Sequence, residues 1–454
     1  MKKKLLVTFV IIFISQSINS QCWQSVSSGK NMSTALKTDG TLWTFGQNTF
    51  GQIGDGTIIN KNNPTQIGTN NWLKISKGGT HTVGIKNNGT LWAWGLNDKG
   101  QLGDGTLINK DAPIQIGTAN NWQTIAVGGF HTLAIKTDGT LWAWGRSVEG
   151  QLGNGSNPNQ LIPIQIGTAN NWMKIAAGQA HSLAIKTNGT LWVWGFNSNG
   201  QLGNGTIVNI NTPTQITASS DWFHISAGKY HTLAIRGTGI LYSWGNNFYG
   251  QLGNGNTTEI RIVTPISSDT NWISADGGLT HSVALKSNGT IWSFGDNPSG
   301  QLGNGTTTSS YTPIQIGNQS NWISINAGDY HCTAKKNDNT IWSWGQGFTG
   351  ALGNNSNLNQ TIPIQISCTN LSIIDVENNK SFKIYPNPSH HLLFIENLDF
   401  EKIDKISISN TQGQLILEIN QNNNPINIEN LKVGIYILNI SSNGKSKIFK
   451  IVKE

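Results

Sequence analysis

One pattern of apolar and polar positions recurs through most of the chain. In its third copy, two short apolar runs, Leu133–Ile135 and Leu141–Trp144, flank the pair Asp138-Gly139. An Asp-Gly or Asn-Gly pair between β-prone runs predicts a hairpin, because a tight hairpin turn requires φ > 0 there. No stretch of the copy has an apolar period of 3.6, so the pattern predicts strands and no helix.

The pattern returns seven times with a period of fifty residues, once forty-nine. Periods of this length are typical of solenoids, propellers and arrays. Four short strands per copy match a propeller blade, because radial repetition leaves only short, protected sheet edges. We therefore predict an all-β fold whose main part is a seven-bladed β-propeller. The first tryptophan of each copy lies at Trp23, Trp72, Trp122, Trp172, Trp222, Trp272 and Trp322.

Large aromatic residues fill further fixed positions of the copies. Trp142 and Trp144 alternate with Ala143, and all eighteen tryptophans of the chain lie within the copies. Each such ring buries roughly 150–250 Å². The rings are therefore expected to form the core between neighbouring blades.

The order of these residues resembles a known repeat. In the third copy it reads Gly128, His131-Thr132, Asp138-Gly139-Thr140, Leu141 to Gly145 and Gly150 to Gly153, and it covers about residues 22–368. It is similar to the regulator-of-chromosome-condensation repeat, a family that folds as a seven-bladed propeller. Nuclear members exchange guanine nucleotide on a small GTPase, a partner that an exported chain does not meet. Secreted bacterial relatives include inhibitors that bind another protein through one face, and the resemblance implies a similar setting here.

One specialised member of that family is not matched. The plant ultraviolet-B photoreceptor carries Trp-Arg directly before the repeat histidine. The corresponding positions here hold Gly129-Phe130 and Lys229-Tyr230, so the resemblance does not extend to photochemistry.

The two ends of the chain differ from the repeats. Lys2 to Lys4 followed by the apolar run 5–14 predicts a secretory signal peptide over residues 1–20, cleaved after Ser20. No other stretch is apolar enough to span a bilayer. Residues 369–381 read as a polar linker. Residues 382–454 contain about seven short alternating runs, which predict a small C-terminal β-sandwich.

The tail also resembles a family. The opening Tyr385-Pro386-Asn387-Pro388, the step Gly434-Ile435-Tyr436 and the basic-apolar end are similar to the type A sorting domain of type IX secretion. The resemblance implies handling by the type IX secretion machinery and a secreted or cell-surface protein. It leaves open whether the tail is cleaved. An accessory β-sandwich is the alternative.

Charge excludes one class of partner. Of the net charge of +7, three lysines belong to the signal peptide, which leaves +4 for the mature chain. We therefore predict no nucleic-acid partner. One basic residue nevertheless precedes each hairpin turn, either as a solvated strand end or as part of a cationic ring that attracts anions. These residues are Lys37, Lys86, Lys136, Lys186, Arg236, Lys286 and Lys336.

The chain has three cysteines. Cys22 precedes the first repeat tryptophan, and Cys368 follows the last strand-end isoleucine. If the junction between copies turns compactly, the two Cα atoms lie close enough for a disulfide, and export favours oxidation. We predict that Cys22–Cys368 closes the ring. Lipid attachment at Cys22 is the rival, and Cys332 is expected to be a buried small hydrophobe.

The sequence shows no catalytic or metal-binding constellation. A histidine recurs once per copy from His81 to His331, but sevenfold repetition spreads these imidazoles around the ring, so a structural role is expected. The repeat acids lie mainly at turns. We predict no cofactor, no metal and no enzyme activity. The alternative is a lyase or hydrolase with its site at the central channel.

The loops differ most between copies, and function is commonly carried by loops on a rigid scaffold. Aromatic residues beside polar loops are typical anchors of protein interfaces. We therefore predict binding of a protein or glycan through one face, with a multivalent lectin as a further alternative. The candidate binding residues are Phe130, Lys229, Tyr230, Phe248, Tyr249, Asp329, Tyr330 and Phe348.

Overall fold

The structure is a computed structural model that describes residues 23–69, 71–368, 382–397, 402–410, 415–419, 424–442 and 445–454. The chain divides into two compact units, residues 1–368 and 369–454. Within the described ranges the structure contains strands and a single 3-10 turn, Phe348–Gly350, with no α-helix. The predicted signal peptide and linker lie outside these ranges.

The first unit consists of seven four-stranded sheets. Each copy of the repeat forms one antiparallel sheet, or blade, with its strands in chain order, which confirms the predicted seven-bladed propeller. Blades 1 to 3 comprise β1 Trp23–Ser28, β2 Met32–Lys37, β3 Leu42–Gly46, β4 Lys61–Ile67, β5 Trp72–Lys77, β6 His81–Lys86, β7 Leu91–Gly95, β8 Lys110–Gln115, β9 Trp122–Val127, β10 His131–Lys136, β11 Leu141–Gly145 and β12 Gln160–Gln165.

The remaining four blades repeat the same arrangement. They comprise β13 Trp172–Ala177, β14 His181–Lys186, β15 Leu191–Gly195, β16 Ile210–Gln215, β17 Trp222–Ala227, β18 His231–Arg236, β19 Leu241–Gly245, β20 Ile260–Pro265, β21 Trp272–Gly277, β22 His281–Lys286, β23 Ile291–Gly295, β24 Ser310–Gln315, β25 Trp322–Ala327, β26 His331–Lys336, β27 Ile341–Gly345 and β28 Gln360–Ile366.

The predicted hairpins join the second and third strands of each blade. Gly139 has φ 78°, and the Asp138 carboxylate accepts bonds from the backbone N–H and hydroxyl of Thr140 at 3.0 and 2.6 Å. Where the last copy replaces glycine, Asn339 takes the same conformation with φ 64°. Asparagine tolerates this region better than most residues, so the turn survives the substitution.

The ring closes between blades 7 and 1. The innermost strand β1 contacts β25 and β26, and the Ser28 and Thr333 hydroxyls lie 2.7 Å apart. Trp23 packs in one cluster with Ile341 and Ile366. Each sheet comes from one continuous stretch of the described chain, so no strand is exchanged at the closure. Side-chain contacts hold it together with backbone bonds, such as that from the Asp329 N–H to the Gly29 carbonyl at 3.2 Å.

The predicted disulfide lies partly outside the described residues, because the structure is described from Trp23 onward. Cys368 packs against the closing cluster that contains Trp23 and Ile366. The Cys22–Cys368 pairing stays a prediction. We expect a non-reduced digest of the mature protein to yield one peptide pair joined through these two cysteines in mass spectra, because both flank the closure.

The third cysteine provides the control for that digest. Cys332 is buried and free, so it should be alkylated only after denaturation. Alkylation of Cys22 and Cys368 without reduction would contradict the pairing.

Indole rings form the contacts between blades and also hold the repeated basic residues. Trp122 and Trp144 of blade 3 pack in one cluster with Val83 and Leu91 of blade 2. Within blade 3, Trp122 and Trp142 meet edge to face with centroids 5.8 Å apart, and Lys136 Nζ lies 3.8 Å from the centroid of Trp142. The structure packs these cations against indoles, an arrangement that neither alternative for the basic ring described. Burial lowers the pKa of Lys37 and Lys86, and the π faces offset part of that desolvation.

The repeated histidines link successive blades. His81 Nε2 lies 3.0 Å from Thr132 Oγ1, whose hydrogen is donated to the Gln101 carbonyl. The imidazole must therefore donate from Nε2. Its Nδ1 is buried without a hydrogen-bond partner, and burial lowers the pKa of His81 to about 3. The expected structural role holds, with a hydroxyl of the next blade as partner rather than backbone.

Glycines let the blades meet around the central channel. The backbone N–H of Gly129 donates to the Gly178 carbonyl at 3.1 Å, and similar bonds join other neighbouring blades. A Cβ on Gly78 would lie 1.9 Å from the Gly128 carbonyl oxygen. The glycine three residues before each repeat histidine is therefore required because a side chain would not fit there. Its backbone does not adopt a positive φ.

The second unit contains two sheets, ordered β29-β30-β33 and β32-β31-β34-β35. Its buried core includes Phe382, Leu393, Ile406, Leu438 and Phe449. The predicted alternation of strands around one apolar core is confirmed. The strands are β29 Phe382–Tyr385, β30 Leu392–Asn397, β31 Ile403–Asn410, β32 Leu415–Ile419, β33 Ile426–Asn427, β34 Gly434–Ser442 and β35 Lys445–Lys453.

The motif residues of the tail have defined positions. The Tyr385–Pro386 and Asn387–Pro388 peptide bonds are cis. The Asn387 side chain bonds the backbone of the last strand, donating to the Lys450 carbonyl at 2.8 Å. Tyr436, two residues after Gly434, donates its hydroxyl hydrogen to the Lys432 carbonyl at 2.8 Å. The opening motif is thus fastened to β35.

Candidate functional site

The propeller has two unlike faces. The loop face carries the turns between first and second strands and the long loops between third and fourth strands, such as residues 29–31 and 47–60. The hairpin face carries the Asp-Gly hairpins and the links between blades. Antiparallel pairing alone fixes this division.

All eight candidate binding residues lie on the loop face. Five of them lie in the turns between the first and second strands of blades 3, 5 and 7. The other three lie in the long loops between the third and fourth strands of blades 5 and 7. The two loop types are bonded to each other, because Asn246 N–H donates to the Tyr230 carbonyl at 2.9 Å. Phe248, Tyr249 and Phe348 are 70%, 48% and 64% exposed. The structure thus brings residues from blades 3, 5 and 7 to one surface.

Charged residues lie at the mouth of the channel on this face. Lys229 Nζ lies 3.9 Å from Asp329 Oδ2. Desolvation raises the pKa of Asp329, against the opposing charges of Lys229 and Lys30. Desolvation also raises the pKa of Tyr330, helped by the nearby acidic groups of Asp329 and Asp296. The mouth therefore holds a partly desolvated ion pair beside a tyrosine.

An aromatic cleft of about 230 Å³ opens between blades 3, 4 and 5. We define the aromatic cleft by Phe130, Phe196 and Tyr230 as walls and Ala180 as floor. The Phe196 and Tyr230 rings meet at 62° with centroids 6.4 Å apart. At its rim Arg146 forms an ion pair with Glu149 at 2.5 Å.

The central channel is not sevenfold symmetric. It encloses about 350 Å³, and His224, Ser226, Asp276 and Asn326 line one side. Ser226 donates its hydroxyl hydrogen to Asp276 at 2.5 Å, and Asp276 accepts the Ala327 N–H at 2.8 Å. These side chains accept hydrogen bonds from backbone N–H groups that the innermost strand of the next blade exposes to the channel.

The channel residues resemble a serine–histidine–aspartate set in composition but not in arrangement. His224 Nε2 lies 2.7 Å from the Ala275 carbonyl, and burial lowers its pKa. Ser226 bonds to the carboxylate rather than to the imidazole. In such a set the imidazole accepts the proton of the serine hydroxyl, whereas His224 Nε2 is bonded to the Ala275 backbone here.

Two features are absent from the described part of the chain. There, no group of three histidine, cysteine or acidic residues could hold a metal ion. The same residues include no apolar helix of membrane-spanning length.

Sequence reasoning missed part of the site. Phe196, Arg146, Glu149 and Ala180 were not among the candidates, nor was the channel group around Asp276. A signal for the cleft was present, because one repeat position reads Phe130, Ala180 and Tyr230 in three consecutive copies. A small residue between two large ones opens a gap when the copies are neighbours in space.

Family models match most of the chain. The RCC1-like domain matches residues 7–226, and the regulator of chromosome condensation (RCC1) repeat matches 238–285, 288–334 and 338–377. This chain is a member of the RCC1 family. A second RCC1 repeat model matches residues 224–251 and 273–301. No curated protein matches the sequence significantly.

Solved structures confirm the RCC1 fold. Human WBSCR16 is 18% identical with a TM-score of 0.66, covering 72% of this chain and 94% of that one. Prp20p from Saccharomyces cerevisiae is 21% identical with a TM-score of 0.65, covering 80% and 90% respectively. At these identities the likeness concerns the fold alone.

The tail belongs to a second family. A secretion system C-terminal sorting domain matches residues 383–454. The RCC1 propeller is therefore part of an exported protein, secreted or held at the cell surface, that the secretion machinery handles through its tail.

Proposed function

We propose that this protein is an exported binding scaffold that engages a protein partner through the loop face. The observation that carries the proposal is the convergence of Phe130, Tyr230, Tyr330 and the exposed Phe248 and Phe348 on one side of a rigid ring. Aromatic residues on loops of a fixed scaffold are typical hot spots of protein interfaces.

The asymmetry of this face favours one partner over many equivalent ligands. The position of Phe130 and Tyr230 holds Asn31, Thr80 and Thr280 in other blades. A lectin with one site per blade needs the same residues in every blade. The yeast relative Prp20p, whose binding to Gsp1p and histones has been described, has the same fold. No partner is transferred from it.

The proposal predicts that truncating Tyr230 or Phe130, two of the aromatic walls of the cleft, weakens the complex with the partner. We expect Tyr230→Ala or Phe130→Ala to reduce affinity at least about thirtyfold, since truncated hot spots cost about 2 kcal/mol or more. The partner is first purified from the cell surroundings through its binding to the wild-type protein. Biolayer interferometry with the full mature chain then measures its affinity for each variant.

The control truncates an apolar side chain at the opposite end of a blade. Met173, at the hairpin-face start of β13, is 42% exposed. Met173→Ala should leave the affinity unchanged. Equal losses for both faces, or several equivalent sites on a glycan array, would reject the proposal, the second in favour of a lectin.

A further inference from the structure

The aromatic cleft differs from the similar run Tyr230, Thr280 and Tyr330 of blades 5 to 7, because Phe196 adds a third ring where blade 6 holds Asp296. Its walls, Phe130 and Tyr230, occupy one repeat position in blades 3 and 5, and Ala180 occupies that position in blade 4 between them. Phe196 comes from the long loop of blade 4, at a position that holds Gln47, Leu96 or Asn246 in other copies. Three rings therefore meet around one small residue.

The size of the cleft limits what it can hold. Its volume of about 230 Å³ lies below the roughly 300–1,000 Å³ of pockets for whole small molecules. It is suited to a single side chain. The two rings at 62° present a face and an edge, and a further ring can pack on them edge to face or offset.

Charge at the rim selects a neutral occupant. Arg146 donates from Nε and Nη2 to the two carboxylate oxygens of Glu149, and Gln151 Nε2 donates to the same carboxylate at 2.9 Å. The two charges compensate each other, so neither a cation nor an anion gains an unpaired partner here. The planar polar groups of Arg146, Glu149 and Gln151 are thus engaged with each other, and Gln179 adds one amide to the lining.

We infer that the aromatic cleft is the anchor pocket of the loop face and receives one uncharged aromatic side chain of a protein partner. The inference rests on the proposed function and deepens it. A partner aromatic residue would leave water, pack against Phe130, Phe196 and Tyr230, and lie over Ala180. Exposed aromatics around the pocket, such as Phe248, would then exclude water from the contact without filling it.

The test uses N-acetyl-tryptophanamide as the probe and the full mature chain as the receptor. We expect saturable binding in saturation-transfer NMR with a Kd of about 1 mM, equivalent to about 4 kcal/mol. Ala180→Leu fills the floor without removing a ring, so it should weaken binding at least tenfold. Phe196→Ala should do the same by removing a wall.

Matched variants separate blocking from misfolding. Asn31→Leu places leucine at the same repeat position of blade 1, whose neighbours, blades 7 and 2, contribute no residue to the cleft, and should leave probe binding unchanged. All variants should keep the wild-type thermal midpoint within a few degrees. Met173→Ala, which truncates an exposed apolar side chain on the hairpin face, should also bind the probe normally.

Other outcomes overturn the inference. Equal binding of N-acetyl-glycinamide, or unchanged binding in Ala180→Leu, would show that the cleft does not receive the ring. Competition by methyl glucoside or methyl galactoside would assign the cleft to glycans instead. If the cleft binds the probe but no protein binds the loop face, the cleft assignment stands and the proposed function is rejected. The two failures are therefore distinguishable.

Discussion

Mild acid should unfold the propeller between about pH 6 and pH 4. Burial lowers the pKa of His81, His131, His181 and His231 to about 3 and that of His281 to about 4. In the unfolded chain the same groups titrate near 6.5. Between these values the unfolded chain binds protons that the folded chain does not, so the free energy of unfolding falls as the pH falls.

The size of this effect follows from linkage. Each histidine removes about 1.4 kcal/mol of stability for every pH unit below 6.5, and five act together. Full stability is present above pH 6.5, and the contribution changes no further below about pH 3. Turn carboxylates with lowered pKa, such as those of Asp39 and Asp138, add their own loss only below about pH 4.

Urea unfolding at several pH values measures how steeply the free energy of unfolding changes with pH. Tryptophan fluorescence reports on the propeller alone, because all eighteen tryptophans precede residue 369. The chain supplies its own replacement, since Met32 occupies the histidine position in blade 1. His131→Met should therefore fold and lower the slope by about 1.4 kcal/mol per pH unit.

An exposed histidine provides the comparison. His390 lies in the tail unit, on which the tryptophan fluorescence does not report, so His390→Gln should leave the slope unchanged. A stability that stays constant between pH 6.5 and 4.5 would refute the neutral histidine ring.

Adding one methyl group at Gly78 should destabilise the propeller by about 4 kcal/mol or more. The new Cβ would lie 1.9 Å from the Gly128 carbonyl oxygen and 2.8 Å from Val127 Cγ1. Both belong to the neighbouring blade, so relief requires the blades to separate around the channel. Overpacking usually costs about 1–3 kcal/mol, and a clash with backbone exceeds it.

The adjacent residue offers a matched control for this variant. A Cβ on Gly79 would meet its nearest atom, the Gly129 carbonyl oxygen, at an ordinary 3.4 Å. Gly79→Ala should therefore change stability by less than about 1 kcal/mol. Similar urea midpoints for Gly78→Ala and Gly79→Ala would contradict the space argument.

Local features of the fold were predictable because their causes lie within one copy. The Asp138-Gly139 turn specifies its hairpin by the φ of glycine and the hydrogen bonds of aspartate. The tryptophan positions identify the apolar contacts between blades. The sevenfold period then leaves few architectures that bury every copy equally.

Features between copies were harder to predict, because their partners lie fifty residues apart in sequence. His81 meets Thr132 and Ser226 meets Asp276, contacts that depend on how the ring brings blades together. The aromatic cleft required comparison of one position across three copies. Its charged rim, Arg146 and Glu149, has no signal in the repeat at all.

The construction of each sheet from one uninterrupted stretch has a consequence for chain connectivity. Trp23, at the start of the described propeller, and Cys368, at its end, belong to the same cluster, so the two termini of the ring are neighbours. A circular permutant that joins them and reopens the chain between β16 and β17 would divide no sheet. The point at which the chain begins is therefore separable from the order in which the blades surround the axis.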